Sequence, residues 1–325
     1  MWSENAVTDV DANPLIVYVH VPKTAGSAIK KVLGLCTPRG HAYVEQVIHD
    51  KSAFLDLARS SDWIAGHLPI EVLSSRLTWV GRPVEFFSSV REPTAQLASQ
   101  LNFSFERYHR KNYYDQHSHN EQVTDMIVMS TDFSNPASVL NLLVNLFGQH
   151  LNMQSRLLLG DDFESLTDQE VRRRLECYAC VATEDTVGKL YSAFGFAELP
   201  EGCEQLRENV ARRYIDTAIF DSPQVREFLA HRHRHDYRLY DAVKRMSWPA
   251  EARAPVRPAL LGGRSFTFDN FDEQVYLDSN PDVANAVKLG HVQSGRHHFF
   301  ATGHSEERMG RHWVLPRAAV DEVTS

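Results

Sequence analysis

The chain has 325 residues, with 34 Lys and Arg set against 42 Asp and Glu, for a formal net charge of −8. That acidic balance excludes a generic binder of nucleic acid or other polyanions. Hydrophobic residues at 43% and charged residues at 23% are ordinary for a globular protein. No run of about 18 apolar residues offers a membrane span, and 4 cysteines are too few for a disulfide scaffold of this length.

Residues 1–14 hold neither a basic nor an apolar stretch, so no secretory signal is expected and a cytoplasmic location is. The first element is LIVYVH at 15–20, an apolar β-branched run that predicts a buried strand. PKTAGS at 22–27 breaks it. From Ala28 the pattern turns helical, with Ile29, Val32 and Leu33 on one face and Lys30 and Lys31 on the other. A strand, a tight loop and a helix aim free N–H groups and a positive helix end at an anion. Lys23 adds a mobile charge, and Thr24 and Ser27 add hydroxyl donors. A Walker A loop reads G-x-x-x-x-G-K-[ST]. Here Lys23 comes three residues before Gly26 and no glycine precedes it, so the loop is of phosphate type with altered wiring.

Residues 52–59 read as a helix, and 63–69 as a short buried strand ending at His67. An imidazole with a pKa near ~6.5 can take a proton from an alcohol. Sites in α/β folds form at the carboxyl ends of strands, where His67 falls. VEFFSSV at 84–90 is the next strand. It runs into Arg91-Glu92-Pro93 and a helix through 95–103, with the proline suited to a first turn. Arg91 stands at the mouth of that helix and Ser99 lies eight residues on, about two turns in.

Residues 103–122 are rich in aromatics, histidine and charge, and their structure is not legible. A helix is expected at 137–151, a polar segment NMQSR at 152–156, a charged helix at 167–176 and a buried strand at 177–183. The strand carries Cys177 and Cys180. Their C-x-x-C lacks the second pair a zinc site needs and reads as core thiols. A helix at 187–194 and one long helix at 224–246 follow. The long helix contains His231, His233 and His235, and residues two apart do not share a helix face, so metal binding is not expected there. Basic clusters at 107–111, 172–174 and 231–238 either line a groove for an anionic acceptor or stand as solvated helix faces. The alternation predicts an α/β domain with a central parallel sheet at 1–247, a Pro/Ala-rich linker at 248–265, and a small helical module and tail at 266–325.

HVPKTAGS at 20–27 resembles the 5′-phosphosulfate-binding loop of PAPS-dependent sulfotransferases. It is most similar to the carbohydrate branch that includes heparan sulfate 2-O-sulfotransferase, in a bacterial form. Gly66-His67, Arg91-Glu92-Pro93 with Ser99, Asn152-x-Gln154-Ser155-Arg156, Thr183-Glu184 and the closing Asp236-x-x-Leu239-Tyr240 follow in family order. The resemblance covers about 15–245 and implies a P-loop-like three-layer sandwich. PAPS (3′-phosphoadenosine 5′-phosphosulfate) is then the donor and PAP the product, with no metal required. Lys23, Thr24, Ala25, Gly26, Ser27 and Ala28 would hold the phosphosulfate, with Lys23 stabilising the leaving group. Arg91 and Ser99 would hold the 3′-phosphate, Gln154, Ser155 and Arg156 would supply polar contacts near the cofactor, and His67 would be general base. The implied acceptor is a carbohydrate or glycolipid hydroxyl. Gln96 departs from the family, which often has a second arginine there. YLDSNPDV at 276–283 and SGRHH at 294–298 resemble a helical appendage of bacterial glycan-modifying proteins. Two other readings stay open, a Mg²⁺-dependent nucleotide kinase or NTPase using the same loop, and a non-catalytic glycan-binding protein.

Overall fold

Five parallel strands form the sheet: β1 (Leu15–Val19), β2 (Gly40–Ala42), β3 (Trp63–Gly66), β4 (Val84–Ser89) and β5 (Tyr178–Ala182), four of them from buried apolar runs and one, β2, from the half-buried Gly-His-Ala. This computed structural model describes residues 14–109, 118–146, 150–196, 213–248 and 273–298. The strand order is β2-β3-β1-β4-β5. β3 and β4 thus flank β1 on opposite sides, and the change of direction leaves a crevice beyond the carboxyl end of β1.

Side chains alternate across the sheet and reach two separate cores. Leu15, Val17, Val19, Ile64 and Phe86 pack with α2 (Lys51–Ser60) and α3 (Ile70–Leu77). The same core takes in α7 (Met153–Leu159), α8 (Asp168–Leu175) and α11 (Arg234–Arg245). Ile16, Tyr18, Ala65 and Phe87 pack on the other face with α1 (Gly26–Cys36) and α9 (Val187–Ala193). Helices therefore cover both faces, which explains why β1 and β4 are buried along their whole length. Burial pushes the Cys177 and Cys180 thiols up to about 12, as core positions do.

Several elements differ from expectation. The expected helix at 137–151 ends early, as α6 (Pro136–Asn145), and NMQSR opens the separate α7. The expected continuous helix at 224–246 is broken at His233 into α10 (Pro223–Arg232) and α11. The break has a tertiary cause. Asn152 donates through its backbone N–H to His233 Nδ1 (2.9 Å) and through Nδ2 to Arg232 O (2.9 Å), and Asn152 Oδ1 accepts from His235 N–H (3.2 Å). Within 103–122, α4 (Pro93–His109) extends further than expected and α5 (His119–Met129) packs on it. Arg107, read as part of a basic cluster, is buried instead. It makes a forked contact to Asp125 at 2.5 and 2.6 Å and reaches Glu121 at 2.9 Å, clamping α4 to α5.

The linker expected at 248–265 lies outside the described residues except for Trp248, as do 110–117 and the tail beyond 298. Within the C-terminal stretch, α12 (Glu273–Ser279), α13 (Pro281–Lys288) and α14 (Gly295–His298) pack on one another. Tyr276 and His298 hydrogen-bond at 3.0 Å, and Gly295 N–H donates to Glu273 at 2.8 Å, so the motif residues there form an internal frame. No described helix is long and apolar enough to cross a membrane.

Candidate active site

The turn between β1 and α1 holds two non-glycine residues in the left-handed region, Lys23 at φ 67° and Ala25 at φ 72°. Each such residue costs roughly 1–3 kcal/mol and persists only where its surroundings over-determine it. They do so here. Thr24 Oγ1 donates to Val21 O (2.8 Å), Ser89 Oγ donates to Thr24 O (2.5 Å), and Tyr18 OH reaches Ser89 Oγ (2.6 Å). Gln96 Nε2 on α4 donates to Pro22 O at 3.0 Å. The Gln96 amide thus ties α4 to the loop. The Thr24 hydroxyl is turned into the core, so what Thr24 presents outward is backbone. Among the described residues no side chain caps α1 at Ala25, so the first N–H groups of that helix have no side-chain acceptor. The Lys23 ammonium sits 4.3 Å above the centroid of the Phe103 ring.

His67 follows β3 directly and is half-buried. Its Nδ1 lies 2.9 Å from His20 O. A carbonyl oxygen only accepts, so Nδ1 carries the proton and Nε2 is left with a lone pair. Burial pushes the His67 pKa below its ordinary 6.5, opposed by Glu45 and the His20 carbonyl and reinforced by Lys30. The His20 ring lies 4.0 Å from that of His67, tilted at 32°, and its pKa is held well below 6.5, first by burial. The His20 ring also lies against the first turn of α1. A Cβ at Gly26 would fall 2.0 Å from its Cδ2, so the glycine permits this close approach. The two histidines therefore join the loop to the end of β3.

The turn after β4 is built differently. Glu92 accepts from Thr94 N–H (3.1 Å) and Ala95 N–H (2.7 Å), capping α4 with its own carboxylate. One side-chain amide brackets Arg91: its N–H donates to Gln154 Oε1, and Gln154 Nε2 donates to its carbonyl, both at 2.9 Å. Gln154 is held in turn by Asp236, whose carboxylate accepts from the N–H groups of Gln154 (3.2 Å) and Ser155 (2.7 Å). Glu184 accepts from Glu92 N–H (3.3 Å) and from Tyr240 OH (2.9 Å). The segments at 152–156, 183–184 and 236–240 thus converge on the backbone around Arg91.

Arg91 and Ser99 line one cavity of ≈ 980 Å³, together with Thr94, Asn102, Arg213, Arg226, Arg234 and Tyr237. Gln154 and Ser155 are fully buried and serve this wall from behind. Arg156 lies apart, its guanidinium over the Phe163 ring at 5.8 Å. Arg213, Arg234 and Tyr237 were not legible as site residues, because they lie more than a hundred positions from Arg91. The basic run at 231–238 was the available signal, and one of its arginines reaches the cavity. Lys30 was expected on the solvent face of α1 and is instead buried. No family model matches the chain, and no curated protein matches it either.

Proposed function

We propose that this protein is a PAPS-dependent sulfotransferase that moves a sulfuryl group to a hydroxyl of a carbohydrate acceptor. The observation that carries the reading is the pairing of two anion-facing regions across one sheet end. The uncapped α1 N-terminus with Lys23 fits a 5′-phosphosulfate, and the Arg91–Ser99 wall fits a 3′-phosphate. Ser89 and Gln96 join the two regions through hydrogen bonds, so their spacing is fixed by the scaffold.

When bound, PAPS supplies the sulfuryl group and a good leaving group. Lys23, Ser27 and the first N–H groups of α1 hold negative charge at the 5′ end, where it grows during transfer. Arg91, with Arg213 and Arg234 on the same cavity, holds the 3′ end and fixes register. His67 Nε2 takes the proton of the acceptor hydroxyl. Its neutral form and fixed tautomer are what that role needs.

The decisive test is calorimetric titration with PAP and with ATP plus Mg²⁺, followed by transfer of labelled sulfate from PAPS to a panel of polysaccharides and glycolipids. PAP is expected to bind at least about tenfold tighter than ATP, a difference of ~1.4 kcal/mol. Tighter ATP binding would favour the kinase or NTPase reading instead.

A further inference from the structure

Lys30 lies on α1 one turn beyond Gly26, and residues four apart share a helix face. That face is the one against which the His20 ring rests. The residue is only 9% exposed, and its Nζ has no hydrogen-bond partner among the described residues. Its nearest neighbour of note is the Tyr43 ring, whose centroid is 3.7 Å away. Tyr43 introduces the 3-10 turn Val44–Gln46, which carries Glu45 to the end of β3. Glu45 Oε2 lies 3.3 Å from the His67 backbone N–H. A buried ammonium on a ring face, with no carboxylate bonded to it, keeps its full field for its neighbours.

We propose that Lys30 is a positioning residue whose unneutralised ammonium opposes a second positive charge on the adjoining His20–His67 pair and so keeps His67 Nε2 free to accept a proton. The groups facing His67 are His20 from β1, Lys30 from α1, and Tyr43 and Glu45 from the segment before α2. Lys23, from the loop, acts on His20. Glu45 is the one carboxylate among these and acts in the opposite direction to Lys30. Lys30 and Glu45 are thus opposing controls on one proton. The inference rests on the sulfotransferase reading only in giving His67 an acceptor to deprotonate.

The test is the ring NMR titration of His67 in the full chain, assigned with His67→Gln. In Lys30→Met the His67 midpoint should rise by about one pH unit, a tenfold change in protonation, because burial alone then opposes Glu45. Lys30→Arg should restore it, and Glu45→Gln should lower it. In sulfate transfer, the acid limb of the pH profile should move up in Lys30→Met while the high-pH plateau stays. A purely packing role would lower the plateau and leave the limb in place. If methionine is not tolerated, Lys30→Gln is read the same way. An unmoved or lowered midpoint in the uncharged variant overturns the proposal. A raised midpoint in a protein that transfers no sulfate from PAPS leaves it standing and overturns the proposed function.

Discussion

The turns after β1 and β4 have the same strand–turn–helix form and opposite electrostatic construction. After β1, no side chain caps the helix, and the backbone itself faces outward with Lys23 beside it. After β4, Glu92 occupies the helix end, so an anion there must be gathered by side chains, Arg91 and Ser99 first. A backbone cradle recognises an anion by shape and fixed dipoles, whereas a guanidinium wall recognises it by charge and forked hydrogen bonds. The first suits a group whose charge changes during reaction, and the second suits a constant anchor.

Substitutions can break that contrast, beginning with the chemistry between the two turns. His67→Ala is expected to lower transfer by about 10²–10⁴-fold while PAP affinity stays near native, since the proposed mechanism gives Nε2 the acceptor proton and no nucleotide contact. Full activity in that variant would remove His67 from the mechanism. Lys23→Ala should follow, with roughly 10²–10³ lost from turnover. Arg91→Ala should differ in kind, weakening PAP about 10–100-fold and erasing most of its advantage over AMP, with a smaller effect on turnover at saturation. Equal loss for PAP and AMP would show that Arg91 does not hold the 3′ end. Glu92→Ala should separate stability from binding. Loss of the cap costs about 1 kcal/mol in a thermal melt, yet PAP affinity should rise, because a carboxylate leaves the cavity wall and α4 N–H groups open.

The smallest expected effect is on pH. Native His20 stays neutral well below 6.5, whereas in the unfolded chain it protonates near that value. The unfolded state therefore binds more protons, and stability present above pH 6.5 is lost as the pH falls below it. His20→Asn should flatten this part of a melting-temperature profile. An unchanged slope would place the acid sensitivity elsewhere.

β1, β3, β4 and β5 were legible because they are buried on both faces, and their apolar runs carry that burial without help from the rest of the chain, whereas the half-buried Gly-His-Ala of β2 carries no such signal. The anion-facing loop was legible because lysine, glycine and serine are local signals. What the sequence hid is long-range. His233, where the helix breaks, accepts at Nδ1 from the backbone N–H of Asn152, far away in the chain. Arg107 looked like surface charge until Asp125 met it on α5. Lys30 sits beside Ile29 in a pattern that reads as solvated, yet the Tyr43 ring brought by the next turn covers it.

The bracket on Arg91 also bears on the order in which the molecule can acquire its binding surface. Arg91 is held by Gln154, Gln154 by Asp236, and Asp236 belongs to the last helix that packs on the sheet. A partly synthesised chain can pair β1, β3 and β4 and even shape the loop at Lys23, but Arg91 stays unanchored until α11 docks. On the proposed function, nucleotide capture would thereby be deferred to that packing event, and retention on immobilised PAP should report completed folding.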